Sequence, residues 1–145
     1  MSSTISYQTA LIYAMAVAAL ADRKLMDSEL INISEIVHIL PIFKDFDRKN
    51  LARTVGDCAE ILDQEDGLAA VVGLIKEALP EKLHETAYAL ACDIVSVDGI
   101  AEQEELVWLK ILRAELNISR LHAAAIERGS RARYMRPPKE ENLNL

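Results

Sequence analysis

The residues of this chain best suited to chemistry are four carboxylates laid out as one device used twice. Asp22 is followed by Glu29 and Asp98 by Glu105, seven residues on in each case, and the second pair stands 76 residues after the first. Leu30 and Leu106 keep the same offset. Each Asp closes an apolar run and each Glu opens another, the pattern of helix, acidic turn and second helix. A carboxylate at a helix C-terminus opposes the helix dipole by about 0.3 to 1 kcal/mol. Asp22 and Asp98 therefore need compensation from turn N–H groups, an arginine or a bound cation. Four carboxylates within ~4 to 6 Å would raise one another's pKa unless a cation neutralised them. Hard oxygen ligands favour Ca²⁺, Mg²⁺ or Mn²⁺ over zinc. Two readings stay open for Asp22, Glu29, Asp98 and Glu105: a structural network of acidic turns, or a divalent-cation site.

The elements that must hold these turns follow from apolar periodicity. A first helix is predicted over Thr9 to Ala21, apolar on nearly every side and therefore central. A second, from Asp27 to Leu40, turns Leu30, Ile33, Ile36, Val37 and Leu40 inward and ends at Pro41. Ile42, Phe43 and Phe46 then plug the bundle end, and Asp47 caps a third helix over Arg48 to Leu62. The polar turn Asp63 to Gly67 leads to a fourth over Leu68 to Ala78, and Pro80 suits the first turn of a fifth over Glu81 to Val97. That fifth helix buries Leu83, Ala87, Leu90, Ala91, Ile94 and Val95, leaving Asp93 on the wetter side with Glu85, Ala89 and Ser96. The sixth, over Gln103 to Leu116, points Leu106, Leu109, Ile111 and Leu112 inward, uses Trp108 as core or interface filling and stops at a left-handed Asn117. Ser119 caps a seventh over Arg120 to Tyr134. Residues 1–136 form a single domain, and 137–145 are expected to be a disordered polar tail.

Composition agrees with an all-α helical bundle of about seven helices. Of the 145 residues 51% are hydrophobic but only 5% aromatic, so the core must be Ala, Leu, Ile and Val, as in closely packed helices. A net charge of −7 argues against nucleic acid or an anionic membrane surface as the main partner and suits cations and basic proteins. The chain nevertheless gathers Arg128, Arg131, Arg133, Arg136 and Lys139 at one end, either solvated or paired within the chain, with docking to an acidic surface as the alternative. Cys58 and Cys92 stand alone, without zinc-ligand spacing, and read as small buried hydrophobes. The apolar run ending in Ala19-Leu20-Ala21 mimics a secretion signal. It has no basic start, however, and it falls short of the roughly 20 residues that span a bilayer. The expected location is the cytoplasm, without membrane insertion.

With its turns and helices placed, the chain resembles the tellurite-resistance TerB-like family. The resemblance rests on Val97-Asp98-Gly99 with Glu105, and on Ala21-Asp22 with Leu25 and Glu29, inside a seven-helix pattern covering nearly all of residues 1–136. It implies an all-helical bundle of this length, a divalent metal held by the acidic-turn residues Asp22, Glu29, Asp98 and Glu105, a role in tellurite and stress resistance, and partners that include membrane proteins. The chain departs from the family at Arg23-Lys24, where a Gly is usual, and at Met26 and Glu102, where a Ser is usual. The first departure adds two positive charges to one turn, so the second copy, Asp98 with Glu105, is the stronger half-site.

Two classes of function follow. One is a non-enzymatic binding module that takes a divalent cation and docks a protein partner. The other is a structural protein that self-associates through an Ala- and Leu-rich helical face. Enzymatic chemistry is not expected: no phosphate loop, HExxH, CxxC or nucleophile triad is present, and His38, His84 and His122 fall in separate helices.

Overall fold

A computed structural model describes residues 5–21, 27–97 and 103–139. Seven α-helices and no strands are found among them: α1 (Tyr7–Ala19), α2 (Asp27–Ile39), α3 (Leu51–Leu62), α4 (Gly67–Ala78), α5 (His84–Ser96), α6 (Gln103–Glu115) and α7 (Arg120–Arg133). Single 3₁₀ turns at Pro41–Phe43, Arg48–Asn50 and Glu81–Leu83 join some of them. The all-α bundle expected from composition is thus what forms.

The order of layers follows from which helices can afford exposure. Every residue of α1 from Ala10 to Ala19 is buried, as a helix without a polar face requires. It packs against α5, its most extensive neighbour, and is covered by α3 and α4 on one side. Buried positions also run most of the way round α5, and α7 covers its other side. Between these layers, α2 and α6 each touch both central helices. Trp108 locks α6 in place: its ring is buried, and its indole N–H donates to the Ala14 carbonyl of α1 at 3.0 Å.

Local chemistry sets the boundaries. Helix α1 begins two residues earlier than apolar periodicity suggests, because the Ser6 hydroxyl accepts the Thr9 backbone N–H at 3.1 Å. Asp47 does cap, accepting the Lys49 N–H at 3.0 Å, but it starts a 3₁₀ turn and α3 proper begins at Leu51. Likewise Glu81–Leu83 is 3₁₀ before α5. At the tight α3–α4 turn, Asp66 takes a left-handed backbone (φ 59°) and Gly67 follows it directly. A Cβ at Gly67 would meet the Ile61 carbonyl oxygen and lie 2.7 Å from that of Leu62, so only glycine lets α4 start so close to the end of α3. Asn117 (φ 54°) ends α6 as expected, with the Ile118 N–H reaching back to the Arg113 carbonyl at 3.0 Å.

Two expected orientations change. Leu106 is 47% exposed, while Glu105, Trp108 and Leu112 form the buried stripe of α6. The indole, anchored to α1, takes the centre of the interface and turns Leu106 outward. Asp93 is not on a wet face: its side chain is only 12% exposed because α7 lies over that side of α5. The plug at the bundle end forms, with Phe43 buried and Phe46 set edge-on to it at 6.3 Å between ring centres.

Candidate functional site

Glu29 and Glu105 sit in the first turns of α2 and α6, where the exposed N–H groups and the helix dipole favour a carboxylate. Asp22 and Asp98 lie outside the described residues, as do Arg23, Lys24, Met26, Gly99 and Glu102. The two glutamates differ. Glu29 is half-buried, whereas Glu105 is 8% exposed. Neither is without an interaction partner. An ionised carboxylate as enclosed as Glu105 needs one, since desolvating a charge without compensation costs several kcal/mol, roughly. Among the described residues no group of three or more His, Cys, Asp or Glu side chains is arranged to hold a metal ion.

The segments flanking both turns do meet. Ala21, the last described residue before the first turn, and Gln103, the first after the second, line one cleft of about 920 Å³. Val17, Leu20, Leu62, Leu68, Val107 and Ile111 give it apolar walls, with one edge of Trp108 among them. Its only ionisable side chains among the described residues are carboxylates: Glu60 and Asp63 from the end of α3, and Glu104 from α6. A cleft with apolar walls and an acidic rim fits a basic amphipathic segment.

Periodicity gave no sign of a second constellation, a polar row between α5 and α7. Glu85 faces His122 Nδ1 at 2.9 Å, Tyr88 donates its hydroxyl proton to Glu127 at 2.5 Å, and Asp93 accepts from Ser130 at 2.8 Å and from Arg133 at 2.7 Å. These pairs keep sequence separations of 37 to 40, so α5 and α7 run parallel and in register. Because the Ser130 hydroxyl has one proton and gives it to the Asp93 carboxylate, the 3.1 Å bond between Ser130 and Ser96 is donated by Ser96. Arg133 of the basic C-terminal end is therefore paired within the chain. The recoverable signal was charge complementarity at similar offsets of 37 and 40 residues, Glu85 with His122 and Asp93 with Arg133.

Both cysteines are free and buried, a setting that favours the neutral thiol. Burial pushes the Cys58 thiol up to about 12. Burial, with the Glu127 carboxylate adding to it, does the same for Cys92. The Tyr88 hydroxyl is pushed up as well, first by burial and then by its bond to Glu127. The histidines serve separate structural contacts: His38 accepts from Arg48 through Nδ1 at 2.8 Å, and the His84 ring lies between the Leu116 and Leu79 carbonyls at 3.2 and 3.3 Å. No described helix is long and apolar enough to cross a membrane. Compared with family models, curated proteins and solved structures, the chain matches none.

Proposed function

We propose that this chain is a non-enzymatic, TerB-like binding module of the cytoplasm, linked to tellurite or related stress resistance, in which the doubled acidic turn takes a divalent cation and the adjoining cleft docks a basic segment of a protein partner. The observation that carries the reading is that Ala21 and Gln103, which flank the two turns in sequence, line one cleft. Asp98 and Glu105 are the stronger half-site, because Arg23 and Lys24 weaken the field of the first turn. A partner at a membrane surface is compatible with this docking mode.

Calorimetric titration with Ca²⁺, Mn²⁺ and Mg²⁺ tests the cation, with binding tighter than millimolar expected and lost in Asp98→Ala. No binding in that range, or binding indifferent to that substitution, overturns the cation assignment. A second reading has its own support: Leu106 and Val107 are adjacent on α6 and 47% and 44% exposed, which suits self-association through that helix. Light scattering across a hundredfold concentration range separates the two, since a monomer throughout removes the second.

A further inference from the structure

A second, smaller groove of about 330 Å³ lies on the far side of α6. Its floor is α5, presenting Tyr88, Cys92 and Val95, all of them buried. One wall is α6, where Leu106, Leu109, Lys110 and Arg113 recur at the spacing of a single helix face. The other wall is α7, through Glu127 and Arg131.

The charge balance of this groove opposes that of the whole protein. Lys110, Arg113 and Arg131 face one carboxylate, Glu127, and that carboxylate is already hydrogen-bonded by the Tyr88 hydroxyl. Arg113 spends one N–H on the Ile118 carbonyl at 3.4 Å, leaving most of its donor fork. Neither Lys110 nor Arg131 makes an ion pair within 4.0 Å among the described residues. In a chain of net charge −7, three cations gathered round one cavity create a local field that attracts an anion. The leucines and Val95 supply the other half of the recognition, a short apolar surface beside the cations. The volume sits at the small end of the roughly 300 to 1,000 Å³ typical of small-molecule pockets and is too little for a docked helix.

We propose that the groove between α6 and α7 binds an amphiphilic oxyanion, a carboxylate or phosphate monoester carried on a short apolar body. The headgroup lies among Lys110, Arg113 and Arg131, and the body lies along Leu106, Leu109 and Val95. The site is separate from the acidic-rimmed cleft and does not depend on a cation being bound there.

Calorimetry of the full chain with octanoate, octyl phosphate, 1-octanol, acetate and inorganic phosphate tests it. Octanoate or octyl phosphate is expected to bind and the other three are not, and whichever amphiphile binds more tightly identifies the headgroup. The double variant Lys110→Gln/Arg131→Gln should weaken binding about tenfold, as loss of two partly exposed ion pairs does. Leu106→Asn, at an exposed position, should weaken it severalfold while leaving the melting curve unchanged. Binding of 1-octanol as tight as octanoate, binding of acetate or phosphate as tight as their octyl counterparts, indifference to the double variant, or no binding of either amphiphile would each overturn the proposal.

Discussion

Helix α6 divides two clefts of opposite character. On one side Glu104, Val107 and Ile111 look onto a cavity whose ionisable side chains, among the described residues, are all acidic, with Glu60 and Asp63 opposite. On the other, Leu106, Lys110 and Arg113 face Arg131 across a groove with one carboxylate against three cations. The comparison shows how little a net charge says about local fields. A value of −7 rightly describes the acidic cleft, yet it hides a cationic groove one helix away. The difference arises from the 3.6-residue period itself, since neighbours such as Leu106 and Val107 are sent to opposite cavities.

Because both clefts share α6, the largest effect should come from releasing it. Trp108→Ala removes a buried ring and the bond to the Ala14 carbonyl, and should cost about 3 to 5 kcal/mol. Trp108→Phe keeps most of the ring and loses mainly the hydrogen bond, for roughly 1 to 2 kcal/mol. Urea unfolding followed by circular dichroism reads both, because the only Trp is gone in each. Equal losses for the two substitutions would mean that the bond, not the packing, anchors the wall.

An effect of comparable size depends on pH. Cys92 floors the cationic groove, while Cys58 lies in the core under α3, and burial raises both thiols from 9.0 to about 12. A raised folded-state pKa means that the native chain holds the proton more tightly than the unfolded one. The stabilisation is complete below pH 9 and is lost as pH rises from there toward 12, at up to about 1.4 kcal/mol per pH unit for each thiol. Tyr13 and Tyr88, also raised from 10.0, steepen the fall above pH 10. Cys58→Ala and Cys92→Ala should each flatten the slope of urea stability between pH 9 and 11.5. If the slope between pH 9 and 10, below the range in which the tyrosines contribute, survives in the double variant, the thiols are not its source.

Asp93 tests the α7 wall of the groove. Asp93→Ala leaves Ser130 and Arg133 without their shared acceptor and should cost about 1 to 3 kcal/mol. Most of that should vanish in the background of Ser130→Ala with Arg133→Ala. Full additivity of the substitutions would show that the polar row between α5 and α7 does not act as a unit.

How much of this was readable in the chain depends on the kind of signal. Helix existence was, because a buried helix such as α1 has no polar face to disguise it, and the stop at Asn117 and the start at Ser119 have local causes. Orientation on α6 was not, since Leu106 and Leu109 satisfy an inward stripe on paper until the bulk of Trp108 decides the rotation. Asp93 was misplaced for a related reason: a lone carboxylate on an apolar helix reads as solvated unless a partner 40 residues on is known to cross over it. Of the four carboxylates singled out by spacing, Glu29 and Glu105 take first-turn positions as expected, whereas both clefts are tertiary products of three or more helices that no local pattern encodes.

The smallest effect sharpens the acidic side of the comparison by contrasting two glycines of α4. Gly67 stands where the turn beneath the acidic cleft closes, and a side chain there strikes the carbonyls of Ile61 and Leu62. Gly73, two turns further on, is exposed with nothing within 4 Å of an added Cβ. Its glycine only adds freedom to the unfolded chain, so Gly73→Ala should stabilise by about 0.5 to 1 kcal/mol. Gly67→Ala should destabilise, because the α3–α4 turn must open before the methyl group fits. Thermal melts of the two variants should therefore move in opposite directions. A loss of stability in Gly73→Ala would mean that this face of α4 is covered in solution, and light scattering on the same sample would show whether a second copy covers it.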